Sequence, residues 1–170
     1  MTEAVLTGLP PVIGMNPRAL ILGSMPGVAS LRASQYYGHP RNLFWPLLAH
    51  ALGSSPPAAY ADRCDWLQAN GVALWDVVAQ CERRGSLDSA IRPASVKPNR
   101  INELLLQHHS IETVFFNGKA AESLYRRHHR EALTREMAFV YLPSSSPANA
   151  SMSLAQKQQA WMAIGTVVRL

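Results

Sequence analysis

Residues 23–42 combine glycines, aromatic rings and an amide in a pattern that suits ligand binding. The run GSMPG at 23–27 predicts a turn, and its glycines let backbone approach a bound molecule closely. Tyr36 and Tyr37 offer rings for stacking, and Asn42 offers an amide that both donates and accepts hydrogen bonds. This stretch is therefore a candidate site.

Four short apolar runs of the chain each stop at a small or hydrogen-bonding residue. The residues that follow the runs are Gly23-Ser24, Asp76, Asn117-Gly118 and the serine run 144–146. Loops exposed to solvent also place polar residues after strands, so a polar residue after a single strand is weak evidence for a site. In a parallel sheet, however, all four ends lie along one edge, where open α/β sheets bind their ligands. The four ends together favour one shared crevice.

The apolar runs alternate with helical patterns, which predicts a parallel sheet with helices on both faces. The predicted strands are 19–22, 72–75, 113–116 and 138–142. Helices are predicted over 44–52, over 58–69, from Asn99, after Asn117-Gly118 and over 153–168, the last with a capping box of Ser153 and Gln156. The expected fold class is α/β, a three-layer α/β/α sandwich with a central four-stranded parallel sheet, in a single domain over 1–170.

Composition favours a globular protein with a polyanionic partner. The chain has 170 residues, 48% of them hydrophobic and 16% charged, and a net charge of +5. It contains no run of 18 apolar residues and no signal-peptide pattern at its start, so we expect a cytoplasmic protein without membrane contact. Cys64 and Cys81 are too few for a disulfide framework and are expected to be core thiols.

Three segments lack a regular pattern. Residues 1–17 are rich in proline and glycine and are expected to be a lead-in segment. Residues 28–42 are expected to be a polar loop. Residues 80–98 have no clean period and are expected to be a long surface loop, whose cations, Arg83 among them, face phosphates or solvent.

Two other chemistries fit the sequence poorly. The serines at 144–146 lack the G-x-S-x-G turn of a serine hydrolase. The histidine pairs 108–109 and 128–129 are adjacent in sequence, so the members of each pair point to different faces of a helix. We therefore expect no metal site, and no motif predicts a cofactor.

Three separated segments resemble the signature motifs of the uracil-DNA glycosylase superfamily. They are the 23–27 run, the run YGHPRNLFW at 37–45 and the run LPSSSPAN at 142–149. The most similar branch is the sixth family, the hypoxanthine-DNA (deoxyinosine) glycosylases. The resemblance implies a monofunctional, monomeric DNA glycosylase that flips a deaminated base, preferably hypoxanthine, out of DNA and excises it by water attack. It implies no cofactor.

The resemblance also implies roles for individual residues. The catalytic residues would be Asn42, Ser24 and Ser144, with Asn42 holding the attacking water. The base would be bound by Gly23, Met25, Pro26, Tyr37, Asp76 and Asn117, with Tyr37 stacking on it and Asp76 bonding its edge. The DNA strand would be contacted by Ser145, Ser146, Asn149, Arg41 and Lys119.

Two positions depart from the superfamily pattern. Met25 stands where many branches keep an Asp or Asn that orients the water, and Leu142 replaces the histidine of the second motif. The chemistry tolerates both changes. Breaking an N-glycosidic bond builds positive charge on the sugar and negative charge on the base, and fixed dipoles can stabilise both without a strong acid or base.

Alternatives remain for the residues and for the function. Asn42 precedes a predicted helix and also fits a plain N-cap, and Asp76 also fits a cap of the segment after it. Phe44 and Trp45 are expected to be core residues. The alternative substrates are uracil and mismatched uracil or thymine. An inactive nucleic-acid-binding module with the same fold would also explain Met25 and Leu142.

Overall fold

The computed structural model describes residues 4–131 and 133–169, and its centre is a four-stranded parallel sheet. In chain order the strands are β1 (Val5–Thr7), β2 (Ala19–Gly23), β3 (Val72–Asp76), β4 (Val78–Glu82), β5 (Lys97–Pro98), β6 (Thr113–Asn117) and β7 (Ala138–Leu142). The central sheet has the order β3-β2-β6-β7, and every neighbouring pair is parallel. The predicted sheet is thus confirmed.

Helices connect and cover the strands. They are α1 (Val28–Ala33), α2 (Phe44–Leu52), α3 (Tyr60–Ala69), α4 (Ile101–Gln107), α5 (Lys119–His128) and α6 (Leu154–Val168). The predicted capping box of α6 is present, because Ser153 and Gln156 each bond the other's backbone N–H. This box satisfies two of the backbone donors that a helix start leaves free.

Both faces of the central sheet are buried, and β2 shows why. Its side chains alternate between the two faces, so Ala19 and Ile21 pack with α2, α3 and α6, while Leu20 and Leu22 pack with α4 and α5. All four side chains are fully buried. A strand covered on both sides reads as a continuous apolar run, which is the pattern that β2 has. The three-layer α/β/α sandwich is therefore confirmed.

Strand register brings the carboxyl ends of the central strands to one edge. Gly23 lies opposite Asp76 on the neighbouring strand, and Asn117 lies opposite Leu142. Leu22 on β2 lies opposite Phe116 on β6, so the two pairs are neighbours along the same edge of the sheet. The polar residues that follow the four strands are therefore neighbours in space, as the sequence predicted.

A second, small sheet corrects two predictions. Strands β1, β4 and β5 form an antiparallel sheet. The predicted lead-in segment therefore contains a strand at residues 5–7, and 80–98 is more than a surface loop. The strands of this sheet are two to five residues long and pair across long stretches of chain, so no local periodicity announces them.

Two local predictions were also wrong. Residues 28–33 form helix α1 rather than loop, and at six residues this helix is too short to show a hydrophobic period. Asn99 does not cap α4, since Arg100 is the N-cap residue and no side chain bonds the helix start. The amide of Asn99 instead donates to the backbone oxygen of Asp76, 2.8 Å away.

The remaining expectations concern cysteines and membranes. Both cysteines are free, and Cys81 is fully buried, whereas Cys64 is only half-buried. Cys81 is thus the core thiol that was expected, and Cys64 is not. Across residues 4–131 and 133–169, none of the helices combines the length and the apolar character that a membrane span requires.

Replacing Gly165 by alanine should destabilise the fold. Helix α6 passes so close to α2 that a Cβ at Gly165 would lie 2.1 Å from the backbone oxygen of Ala51. Alanine is the better helix former, but this overlap with backbone should outweigh that gain and lower the free energy of unfolding by about 2 kcal/mol. Thermal or urea unfolding measures the change.

The matched control is Gly38→Ala, where the added Cβ would meet its nearest atom at 3.5 Å, an ordinary contact. This variant should unfold close to the wild type. Equal stability of Gly165→Ala and the wild type would show that the two helices can separate without cost.

Candidate active site

A cavity of about 150 Å³ opens at the carboxyl ends of the parallel strands. All three predicted catalytic residues and all six predicted base-binding residues line it. An apolar cavity of about this volume is known to hold one benzene ring, so the space suits a planar ring compound. The structure therefore brings together segments that lie up to 120 residues apart in the chain.

Gly23, Asp76 and Tyr37 meet at the floor of this cavity. A Cβ at Gly23 would lie 2.3 Å from Asp76 Oδ1 and 2.9 Å from the Tyr37 hydroxyl, so only glycine fits. Asp76 Oδ2 and the Tyr37 hydroxyl are buried, and Asp76 Oδ2 has no hydrogen-bond partner among the described residues. Leaving such groups unpaired is costly, and this is the arrangement that a ligand with matching polar atoms would complete.

Burial changes the acidity of Asp76. The side chain is only 4% exposed, and desolvation raises its pKa from an ordinary value near 3.8 to about 7. The negative charge of Asp88 contributes to this rise, and the guanidinium of Arg83 opposes it. A carboxyl group that titrates near neutral pH inside a cavity is a typical feature of a functional site.

Asp88 is a site residue that the sequence reasoning missed. The hydroxyl of Ser24 donates to its Oδ1 at 2.5 Å, and both residues line the cavity. Burial is the main cause that raises the pKa of Asp88. The hydrogen bond from Ser24 and the positive charge of Arg83 both oppose this rise. No local pattern marks this residue, because its contact with Ser24 spans 64 positions of the chain.

Asn42 lies in the cavity wall and also supports the start of α2. Its Oδ1 accepts a hydrogen bond from the backbone N–H of Phe44 at 2.9 Å, and the backbone N–H of Asn42 donates to the backbone oxygen of His39. The N-cap residue of α2 is Leu43, so Asn42 is not the plain N-cap that was the alternative, although its side chain bonds the first helical residue. A carbonyl oxygen has two lone pairs, so Oδ1 can still accept one hydrogen bond from a water molecule.

The Tyr37 ring is held from behind by Phe44. The two rings are stacked with centroids 4.0 Å apart and planes 12° apart, and Tyr37 adopts the left-handed backbone region with φ of 53°. Phe44 and Trp45 are buried, as expected for core residues. One face of Tyr37 is therefore used by Phe44, which leaves its other face for the predicted contact with a base.

Asn117 and Ser145 clamp two neighbouring strand ends together. The amide of Asn117 donates to Ser145 Oγ and accepts from the Ser145 backbone N–H, both at 2.9 Å. Ser145 is completely buried, which differs from its predicted contact with DNA. In this arrangement the Asn117 amide is used to shape the serine turn that lines the cavity.

The loop after β7 is anchored to α6 at two points. The indole of Trp161 donates to the backbone oxygen of Pro143 at 3.0 Å, and the buried amine of Lys157 donates to that of Asn149 at 2.8 Å. Between these anchors, Ser144 Oγ accepts from the backbone N–H of Ser146. The loop thus has a defined shape before any ligand binds.

The predicted surface contacts are only partly at the surface. Arg41 and Lys119 are exposed, and Ser146 and Asn149 are half-buried near the cavity mouth or the loop beside it. Met25 is 6% exposed and packs with Val78, Cys81 and Ile91 in a small core cluster beneath the second sheet. Its side chain therefore supports the turn more than it faces the cavity.

Arg83 corrects the expectation that the cations of residues 80–98 face phosphates or solvent. It is 5% exposed, and its guanidinium donates to the backbone oxygens of Pro26 and Gly85, each at 2.8 Å. Arg92 instead pairs with Glu82 at the surface. Within the described parts of the chain, no group of three or more histidine, cysteine or acidic side chains could hold a metal ion.

The raised pKa of Asp76 predicts how stability changes with pH. Between its unfolded pKa near 3.8 and its folded pKa near 7 the unfolded state binds fewer protons, so the free energy of unfolding falls as pH rises through this window. Asp76→Asn removes the effect. The free energy of unfolding of this variant, relative to that of the wild type, should increase from pH 4 to pH 7 by at most about 4 kcal/mol. Above pH 7 the difference should stay level.

Urea unfolding of the wild type and Asp76→Asn at pH 4, 7 and 8 measures this difference. Asp65→Asn changes an exposed carboxylate on α3 and serves as the control. A constant difference between Asp76→Asn and the wild type across this range would contradict the raised pKa.

Comparison with known proteins agrees with this geometry. The model of the Uracil DNA glycosylase superfamily matches residues 10–165. A hypoxanthine DNA glycosylase of Methanosarcina barkeri is 37% identical over 157 residues, which cover 91% of this chain and 94% of that protein. The hypoxanthine DNA glycosylase of Methanosarcina acetivorans is 36% identical over 160 residues, covering 92% and 96%.

A solved structure shows the same similarity. The solution NMR structure of a candidate uracil DNA glycosylase from Methanosarcina acetivorans superposes with a TM-score of 0.79 at 33% identity, covering 98% of this chain and all of that one. The match of the family model over most of the chain and the level of identity both exceed what shared fold alone produces. The chain belongs to the uracil DNA glycosylase superfamily.

Proposed function

We propose that the protein is a monofunctional DNA glycosylase that flips a deaminated base out of DNA and excises it, with hypoxanthine as the preferred base. Two relatives that match this chain over more than nine-tenths of its length are named hypoxanthine DNA glycosylases. The superfamily acts on DNA, and the positive net charge of the chain suits that substrate. We further propose that the protein acts as a monomer without a cofactor.

The observation that carries this proposal is the unpaired Oδ2 of Asp76 on the floor of a ring-sized cavity. When ionised, this oxygen accepts the N1–H of hypoxanthine. Adenine carries no hydrogen at N1, so its lone pair would face the carboxylate and be repelled. A buried polar group that stays unpaired or repelled discriminates strongly between similar bases. Asp76 can therefore separate the damaged base from the normal one.

Tyr37 supplies the flat surface for the base. Tyr37 lines the cavity and Phe44 covers one face of its ring, so a purine would stack on the other face with its edge directed towards Asp76. The base must first leave the DNA stack, at a cost of a few kcal/mol that is smaller for a mispaired base. Hypoxanthine opposite thymine is such a base.

The hydrolysis step uses fixed dipoles. The bond between the sugar C1′ and the base nitrogen breaks, and its electron pair leaves with the base. Water adds to C1′, one of its protons is released, and the departing base takes up a proton. Asn42 Oδ1 would hold the water by its second lone pair, while Ser24 and Ser144 line the region where charge develops. The products are a free base and an abasic site.

The positions of the lysines support a reaction without strand cleavage. Among the described residues that line the cavity there is no lysine. The buried amine of Lys157, on the helix beside the serine loop, donates to the backbone oxygen of Asn149. A Schiff base with the sugar requires a free amine at C1′. Strands should therefore break only when alkali is added.

Exposed and half-buried residues near the cavity would hold the DNA strand. We propose that Arg41 and Lys119 contact phosphates, and that Ser146 and Asn149 contact the strand beside the flipped nucleotide. These contacts fix register but carry no base information.

Uracil remains the second candidate substrate. It presents an N3–H beside a carbonyl, which is the same donor–acceptor pair as the N1–H and O6 of hypoxanthine. Asp76 accepts either hydrogen, so this contact separates neither base from the other. The names of the two relatives favour hypoxanthine.

Duplex oligonucleotides that contain a single inosine, uracil or xanthine test the function. The wild type should release hypoxanthine fastest, and strands should break only after alkali treatment. Asn42→Ala should slow release on the order of 100-fold, because the water loses its acceptor. Asn42→Ser keeps a side-chain oxygen that can accept the backbone N–H of Phe44, so it should keep stability while losing a similar part of the rate.

Three outcomes would contradict these assignments. Retained duplex binding without release of any base would indicate the inactive binding module. Normal rates in Asn42→Ser would remove the water-holding role, and faster release of uracil than of hypoxanthine would reverse the substrate preference.

Excision of hypoxanthine should also depend on pH. Asp76 is neutral below a pKa of about 7 and ionised above it, and the ionised form accepts N1–H. The single-turnover rate should therefore rise with pH up to about 7 and level off above it. Asp76→Asn keeps a carbonyl acceptor without a titrating group, so it should retain part of the rate and lose this step. A wild-type rate that is flat between pH 6 and 8 would contradict the role of Asp76.

A further inference from the structure

The loop that follows β4, residues 83–91, forms part of the cavity wall. An isolated antiparallel bridge between its first and last residues, Arg83 and Ile91, closes this loop. Its residues Ser86 and Asp88 line the cavity together with the turn that follows β2. The loop and the turn are therefore adjoining parts of one wall, although the contacts between them span 57 to 64 positions of the chain.

Two hydrogen bonds hold the backbone of the turn against the loop. Arg83 Nη2 donates to the backbone oxygen of Pro26 at 2.8 Å. Gly27, the N-cap residue of α1, has no side chain to accept from the helix start, and Ser86 Oγ instead accepts from the backbone N–H of Val28 at 2.9 Å. A Cβ at Gly27 would lie 3.3 Å from Ser86 Oγ, so the two segments are in close contact. The loop thus fixes the turn on both sides of Gly27.

A third hydrogen bond fixes the side chain of Ser24. Its hydroxyl donates to Asp88 Oδ1 at 2.5 Å, a length typical of a hydroxyl bonded to a carboxylate. An ionised carboxylate only accepts, so the single proton of this hydroxyl is directed to Asp88. The backbone oxygen of Ser24 accepts from the backbone N–H of Val78, so the main chain is fixed as well. Ser24 can therefore offer the cavity only its lone pairs.

The proposed hydrolysis requires a water molecule whose own lone pair is directed at C1′. A water that donates both of its protons to acceptors in the cavity wall is oriented in this way. Asn42 Oδ1 supplies one acceptor, since the backbone N–H of Phe44 uses only one of its two lone pairs. Ser24 can supply the second. Ser144 differs from it, because Ser144 Oγ accepts from the backbone N–H of Ser146 and keeps its proton for donation.

We propose that Asp88 is a positioning residue of the hydrolysis step: by accepting the Ser24 proton, it makes Ser24 the second acceptor, beside Asn42, for the attacking water. Asp88 acts through Ser24 and needs no contact with the base. It is available at this place because Arg83 and Ser86 hold the loop on the turn. The inference rests on the proposed glycosylase function and adds a residue to its mechanism.

Four variants separate the hydrogen bond from the charge and from the position of the loop. Asp88→Ala removes the acceptor, so the Ser24 hydroxyl can turn and donate its proton into the cavity. Asp88→Asn keeps an acceptor oxygen without the charge, and Ser24→Ala removes the hydroxyl itself. Ser89→Ala is the matched control, because Ser89 is an exposed neighbour on the same loop and is not among the residues that line the cavity.

Single-turnover excision of hypoxanthine is measured at pH 8, with the affinity for the duplex measured in parallel. Asp88→Ala should slow excision about tenfold, the effect of about one hydrogen bond, while the affinity stays unchanged. Asp88→Asn and Ser89→Ala should both stay close to the wild-type rate. In the Ser24→Ala background, Asp88→Ala should cause no further loss, because the residue through which Asp88 acts is already gone.

Amide hydrogen exchange at Val28, measured by NMR, reports whether the loop stays on the turn, since this N–H bonds Ser86 across the contact. Ser86→Ala removes the acceptor and should make exchange at Val28 faster. Asp88→Ala should leave exchange near the wild-type rate, because the bonds of Arg83 and Ser86 remain. Slow excision by Asp88→Ala together with fast exchange at Val28 would make Asp88 a support of the loop and overturn the inference.

Three further outcomes decide the inference. Independent losses from Ser24→Ala and Asp88→Ala that multiply in the double variant overturn it, and so does an equal loss in Asp88→Asn and Asp88→Ala. A crystal structure of the wild type with Ser24 Oγ beyond hydrogen-bond distance of Asp88 overturns it whatever the activity. Absence of base release by the wild type from every oligonucleotide overturns the proposed function, and this inference with it, even where the crystal structure shows the bond.

Discussion

The site depends on one costly arrangement, the burial of the Asp76 carboxyl at the end of β3 with one oxygen unpaired. Gly23 has no side chain because that carboxyl and the Tyr37 hydroxyl occupy the space beside it. Arg83 is buried beneath the 23–27 turn, where its guanidinium donates to the backbone oxygens of Pro26 and Gly85. Each of these residues would be a poor choice for stability alone. Together they form a polar floor that a flat ligand can complete.

The parallel sheet makes this arrangement possible. Register places Gly23 beside Asp76, and the bonds between Asn117 and Ser145 bring the end of β7 into the same wall. Helix α6 then holds the serine loop from outside through Trp161 and Lys157. Because backbone and buried side chains carry these contacts, the cavity is formed before DNA binds. A preformed site loses less entropy when the substrate enters.

Stability and recognition oppose each other here. A carboxyl group with a pKa of about 7 can change its protonation state, and with it its hydrogen-bonding pattern, near neutral pH. Its ionised form, however, destabilises the fold. The fully buried apolar layers on both faces of β2 supply the compensating free energy. The buried core therefore stabilises a fold whose polar site is unfavourable by itself.

The sequence by itself determined the central architecture and most of the cavity wall. Continuous apolar runs that end in Gly23, Asp76 and Asn117 are local signals, and both strand direction and crossover rules follow from them. Only the tertiary structure placed Asp88 against Ser24 and buried Arg83 beneath the turn, because those contacts join segments about 60 residues apart. The same holds for the small second sheet. Local periodicity reports which face of an element is buried, whereas the partner of a buried charge is decided by how the chain folds back on itself.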